Sequence, residues 1–204
     1  MRESYFELDD DVCLGGRWHL MDLFDRTGTK LDIRDFRYGR PVDVGSHVKV
    51  HVWNSEEIVD AEPPLRLTLH TEGVPLDLTF TEGSLVVTSK VADILQRVAG
   101  LDIQRIPVFV EWREEEYAII NVTSVVRCVD RGASRIEWYT EADGRPDMIG
   151  RAKTVGKLVV DPSRVGNANM FRLGERPIQI IVSSVVRGAL EKDRVSGVRF
   201  RPVS

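Results

Sequence analysis

Four carboxylates crowd one short stretch: Glu137, Glu141, Asp143 and Asp147. Paired carboxylates are what a hydrolase uses as general acid and base. That chemistry needs Glu137, Glu141 or Asp143 in one concave pocket with displaced pKa values. The run Glu141-Ala142-Asp143-Gly144-Arg145-Pro146 is also rich in turn formers, and a solvated hairpin turn fits it better. A calcium loop needs oxygen ligands at alternating positions and a distal glutamate, and this stretch lacks them. His47 and His51 have the spacing of two metal ligands on a helix. They flank Val48 and Val50 in an alternating run that marks a strand, where four residues cover ~13 Å, too far for one zinc ion. Cys13 and Cys128 have no second cysteine or histidine at ligand spacing; their apolar neighbours point to buried thiols in a reducing compartment. The chain carries no Gly-x-Ser-x-Gly elbow, P-loop or dinucleotide fingerprint. Neither a metal nor a cofactor is expected.

Charge offers the next candidates. The net charge of −4 conceals 27 acidic and 16 basic side chains in residues 1–144 against 5 acidic and 12 basic in residues 145–204. Arg145, Arg151, Lys153, Lys157, Arg164, Arg172 and Arg176 would make a phosphate-binding face if they shared one side. The segment holds only Phe171 as an aromatic before Phe200, so stacking platforms for single strands are missing. Solvated surface is the simpler reading, and no nucleic-acid partner is expected. No run approaches the ~18–20 apolar residues of a membrane span, and the N-terminus has no apolar signal region. A cytoplasmic protein is expected, which discounts Asn121-Val122-Thr123 as a glycosylation acceptor.

The elements that must position these groups show an internal echo. Residues 84–108 and 179–203 align without a gap at an offset of 95, bringing together Val87 with Val182, Ser89 with Ser184, Leu95 with Leu190 and Pro107 with Pro202. Each copy reads as an apolar strand, a hydroxyl N-cap, a helix and a strand. Val91, Ile94, Leu95 and Val98 form one helical face, and Gly100 stands where a left-handed C-cap belongs. Gly188 weakens the second helix by ~1 kcal/mol relative to alanine. Proline at the same offset in both outgoing strands implies an edge, a strand start or a bulge. Elsewhere the chain alternates as strands, with a helical turn within 30–38 and an exposed acidic loop or linker over 54–64. Strands Ile106–Trp112 and Tyr117–Val122 flank a tip at Glu114-Glu115-Glu116, and Leu158–Pro162 closes a further strand. The fold class is α+β, a largely antiparallel sheet with two main helices built around a duplicated strand–helix–strand module. One domain over 1–204 is expected. Its parts are a β-rich 1–64, a first module 65–112, a β insertion 113–165 and a second module 166–204.

The order of motifs carries a resemblance. Gly15-Gly-Arg-Trp-His-Leu20, Phe36-Arg-Tyr-Gly-Arg-Pro-Val42 and Val74-Pro-Leu-Asp-Leu-Thr-Phe80 come first. Val87-Thr-Ser-Lys-Val91, Gln104-Arg-Ile-Pro-Val108, Trp138 to Pro146, Asp161-Pro162, Phe171-Arg172 and Ile181-Val-Ser183 follow. From about Tyr5 to Val203 the chain resembles immunity protein family eleven of bacterial polymorphic toxin systems, a myxobacterial-type family. The resemblance implies a cytoplasmic, non-enzymatic protein that binds and neutralises a cognate toxin domain. It carries over no site residues.

On that reading acidic side chains steer a cationic toxin, and a nuclease suits the acidic portion because its own surface must attract phosphate. The expected partner contacts are Trp53, Glu56, Glu57 and Asp60, an aromatic anchor beside an acidic loop. A hydrolase using the 137–147 carboxylates and a nucleic-acid binder using the 145–204 segment stand as the alternatives.

Overall fold

The structure, a computed structural model, describes residues 4–11, 15–44 and 46–203; the expectation for Cys13 falls outside them. In chain order come β1 (Tyr5–Asp10), β2 (His19–Phe24), β3 (Lys30–Leu31), β4 (Val48–His51), β5 (Ile58–Ala61), β6 (Leu65–Thr71) and β7 (Leu78–Thr81). Next are β8 (Ser84–Thr88), helix α1 (Ser89–Ala99), β9 (Ile103–Val110), β10 (Glu116–Val122), β11 (Val125–Val126) and β12 (Arg135–Trp138). The chain ends with β13 (Ala152–Lys157), β14 (Met170–Leu173), β15 (Arg176–Ser183), helix α2 (Ser184–Lys192) and β16 (Val198–Pro202).

Two sheets carry the fold. One has seven strands in the order β3-β2-β6-β9-β10-β8-β7, and the other five in the order β11-β14-β15-β1-β16. The hairpins β4–β5 and β12–β13 stand as separate two-stranded pairs. Among these strands only β6 with β9 and β11 with β14 run parallel. The class is α+β, mostly antiparallel, with two α-helices among the described residues. Among the described residues no helix is long and apolar enough to cross a membrane.

Side-chain alternation explains why the central strands read as continuous apolar runs. Leu85 and Val87 of β8, and Ala118, Ile120 and Val122 of β10, enter one core with α1, α2 and the five-stranded sheet's Phe6, Leu8, Ile180 and Val182. Val86, Tyr117 and Ile119 turn the other way, into a second core with Trp18, Phe36 and the β4–β5 hairpin. Tyr5 and Ile181 leave the five-stranded sheet on its far face, into a third core with Cys128, Val160 and Phe171. Both sheets are therefore covered on both faces, which demands near-continuous hydrophobic strands.

The two strand–helix–strand pieces have matching surroundings. β10 lies between β8 and β9, with Ala118 opposite both Val87 and Pro107. β1 lies between β15 and β16, with Phe6 opposite both Val182 and Pro202. A further strand flanks each: Leu78 of β7 faces Val87, and Met170 of β14 faces Val182. The helices pack on each other in the shared core. Each piece also hooks the other. Asp102, just after α1, accepts from the Asn169 and Met170 amides at 2.9 and 3.1 Å. Ser196, just after α2, accepts from the Asp77 and Leu78 amides at 3.0 and 3.1 Å. Gly197 beside it has φ 86°, and a Cβ there would run into the Leu78 carbonyl.

Several local expectations are corrected. Gly100 is right-handed, with φ −59° and ψ −25°; it is needed because a Cβ would collide with the Gln96 carbonyl. Pro107 lies in an interior strand of the seven-stranded sheet, tolerated because the β6 ladder begins only at Val108; Pro202 lies in an edge strand. Residues 54–64 are not all loop, since β5 forms there on β4. Leu158–Pro162 is not a strand but an isolated bridge, Val160 with Val129. The strand of that region is β13, whose Ala-Lys-Thr-Val-Gly-Lys sequence has little apolar alternation to reveal it.

Candidate functional site

The 137–147 carboxylates lie on the connection between β12 and β13, in two short 3-10 turns, Glu141–Asp143 and Pro146–Met148. Lys153 of β13 bridges Glu137 at 3.2 Å and Asp143 at 2.7 Å. Asp143 also accepts from the Thr140 amide and hydroxyl at 2.8 and 3.0 Å. The Lys153 bond leads these effects in pushing its carboxyl down to about 2. Asp147 is held below the usual carboxylate range by Arg145, and Glu141 is exposed. Carboxylates pinned in the ionised form by cations are poor general acids. The arrangement braces a turn.

Several cations of the basic segment are paired with carboxylates of this chain, and one is buried. Arg145 pairs with Asp147, Lys153 with Glu137 and Asp143, and Arg164 with Asp161. Arg176 reaches the Lys153 carbonyl at 3.5 Å. Arg172 is 0 % exposed. Its guanidinium donates to the carbonyls of Val122, Pro177 and Phe36 at 3.2, 2.9 and 2.7 Å. Burial is the main force that lowers its pKa to about 10. Arg172 thus belongs to the interior and is no phosphate ligand.

His51 is paired with Asp35 at 2.9 Å, and His47 lies beside the Ser46 hydroxyl at 3.2 Å. Among the described residues no group of three or more His, Cys, Asp or Glu is placed to hold a metal. Cys128 is buried, and burial pushes its thiol up to about 12.

The β4–β5 hairpin carries the four expected contact residues, Asp60 on β5 and the other three on the connection before it, with different surroundings for each. Trp53 is half-buried, its amide donating to the Lys30 carbonyl at 2.9 Å. Its ring is stacked by Lys30 Nζ at 4.7 Å and Arg34 Cζ at 4.5 Å. Asp60 is paired with Lys49 at 2.7 Å. Glu56 and Glu57 are exposed on the turn. The loop therefore presents two carboxylates to solvent, while its aromatic, and Asp60 on the adjoining β5, already have cations of this chain.

A second acidic tip joins β9 to β10. Trp112 stands there 86 % exposed, at φ 61°. Arg113, Glu114, Glu115 and Glu116 follow it. Arg113 lies over the Trp18 ring at 5.5 Å, and the Tyr117 hydroxyl donates to Glu115 at 3.0 Å. Burial, and then Glu115, raise the Tyr117 pKa above its ordinary value. A cleft of about 570 Å³ opens beside the tip, with Asp77, Trp112, Arg113, Glu114, Glu115 and Tyr117 in its walls. From the sequence alone Trp112 ends a strand and the glutamates form a soluble turn. The available signal was a tryptophan immediately before a charged hairpin tip, where no strand partner can cover it.

A family model described as immunity protein family (Imm11) matches residues 31–204. No curated protein matches the chain.

Proposed function

The chain belongs to the Imm11 immunity protein family, and from that premise we propose that it binds and neutralises a cognate polymorphic toxin domain in the cytoplasm. The family match over 31–204 carries this reading. The surface is compatible with it. The carboxylates best spaced for acid–base chemistry are tied up by Lys153 and Arg145, which supports a binding role over a catalytic one. Two exposed acidic tips, at Glu56–Glu57 and Glu114–Glu116, would steer a cationic partner. A nuclease fits, since an enzyme that holds phosphate presents positive charge to its inhibitor. In the β4–β5 hairpin, Glu56 and Glu57 are steering charges, whereas Trp53 and Asp60 answer first to Lys30, Arg34 and Lys49.

We further infer that the binding scaffold is one domain made by duplication of a strand–helix–strand module. Support comes from register. Val87 and Val182, and Pro107 and Pro202, are each 95 apart and occupy the same ladder positions around β10 and β1.

Affinity capture of the tagged chain from its native cells, followed by mass spectrometry, tests the function. One stoichiometric partner is expected, carrying a C-terminal domain that is toxic when expressed alone and harmless beside this chain. A toxic domain that remains lethal beside it would refute neutralisation.

A further inference from the structure

The four tryptophans of this chain divide unequally. Trp18 lies under Arg113 at 5.5 Å, Trp53 under Lys30 and Arg34, and Trp138 under Arg131 at 4.0 Å. Among the described residues no cation of the chain sits on Trp112. It is also the most exposed of the four, with its indole in solvent on the rim of the 570 Å³ cleft. An indole face is the best aromatic platform for a cation, and tryptophan is among the residues that most often anchor protein interfaces.

The cleft matches that chemistry. Three carboxylate residues, Asp77, Glu114 and Glu115, stand in its walls against one guanidinium, and that guanidinium, Arg113, is turned onto Trp18. Tyr117 and Ser196 donate to Glu115 and Asp77 at 3.0 and 2.8 Å, which fixes both carboxylates in the cleft wall. Among the described residues no ion pair takes up Glu114, Glu115 or Glu116. A phosphodiester would be repelled here, whereas an arginine or lysine head would meet an aromatic face and carboxylates together.

We propose that Trp112 and this cleft receive an arginine or lysine side chain from a basic loop of the toxin. The identity of the partner rests on the immunity reading; the preference of the cleft for a cationic side chain does not.

Two arms of one experiment separate these claims. The first titrates the intact ¹⁵N-labelled chain with acetyl-Gly-Arg-Gly-amide and follows the tryptophan indole resonances. A saturable shift of the Trp112 signal is expected, absent with acetyl-Gly-Glu-Gly-amide and weakened about tenfold by the Glu114→Gln, Glu115→Gln double substitution. No saturable shift at Trp112, or an equal shift at Trp53, overturns the cleft. The second arm uses the toxin domain captured by the wild-type chain. Trp112→Ala should weaken binding about 30-fold, and Glu114→Lys with Glu115→Lys should slow association about tenfold at low salt. The unfolding midpoints of the variants should match wild type, because these side chains are exposed. An unchanged Kd for Trp112→Ala overturns this docking point while leaving neutralisation standing. Capture of no toxin counts against the immunity reading, and the peptide arm still decides the cleft.

Discussion

Arg172 sits where the two sheets and the Ile33–Arg37 turn meet, spending its guanidinium on carbonyls of Val122, Pro177 and Phe36. Among the described residues no carboxylate pairs with it, so its contribution lies in satisfying three backbone acceptors, two of them in fully buried bonds. Arg172→Met is expected to destabilise the fold by about 3–5 kcal/mol, since each buried acceptor left bare costs ~1–3 kcal/mol. Arg172→Lys should rescue only part, because a single ammonium cannot reproduce a planar fork. Urea unfolding of the three proteins measures this; a Met variant within ~1 kcal/mol of wild type would show that the carbonyls find other donors. The sequence places Arg172 among apolar Met170, Phe171 and Leu173, a sign of a strand buried on both faces. What it cannot display is the Phe36 carbonyl, 136 residues away. Trp112 is the converse case. Its type and its neighbours were legible, but its exposure depends on where the β9–β10 hairpin ends.

The helices were legible because their signals are local. Thr88 and Ser183 accept from the amides of Val91 and Val186 at 3.4 and 3.5 Å, as N-caps chosen from the residue types alone. The two caps differ in burial, and this sets an expectation. Thr88 is half-buried, so Thr88→Ala should cost the usual ~1 kcal/mol of a lost cap. Ser183 is fully buried and also donates to Asn169 Oδ1 at 2.7 Å, so Ser183→Ala should cost about 2 kcal/mol or more. Equal costs in thermal or urea unfolding would mean that the Asn169 bond adds nothing. Gly188 offers the opposite sign. A Cβ there meets nothing within 4 Å, so Gly188→Ala should stabilise by about 0.5–1 kcal/mol. Strand β13 was missed for the reason that the helices were found: its exposed polar face pairs only with β12 and leaves no apolar period.

At the scale of the whole molecule the surprising element is β1. It completes the five-stranded sheet between β15 and β16, so the N-terminal residues belong in space with the last module. Local periodicity identifies strands, but it does not say which distant strand fills a gap between two parallel neighbours. Removing residues 1–11 is therefore expected to strip β15 and β16 of their common partner and to open the core shared by α1 and α2. Loss of the near-ultraviolet circular dichroism signal would report that opening, while a native-like spectrum would show that the N-terminal strand is dispensable.

Neutralisation itself is most directly measured by titrating purified chain into a fixed amount of the captured toxin domain and following its activity, on nucleic acid first. A linear loss to zero at one chain per toxin is predicted, with Trp112→Ala bending that line into a weak curve. A toxin that keeps its full activity with the wild-type chain in excess would contradict the immunity function.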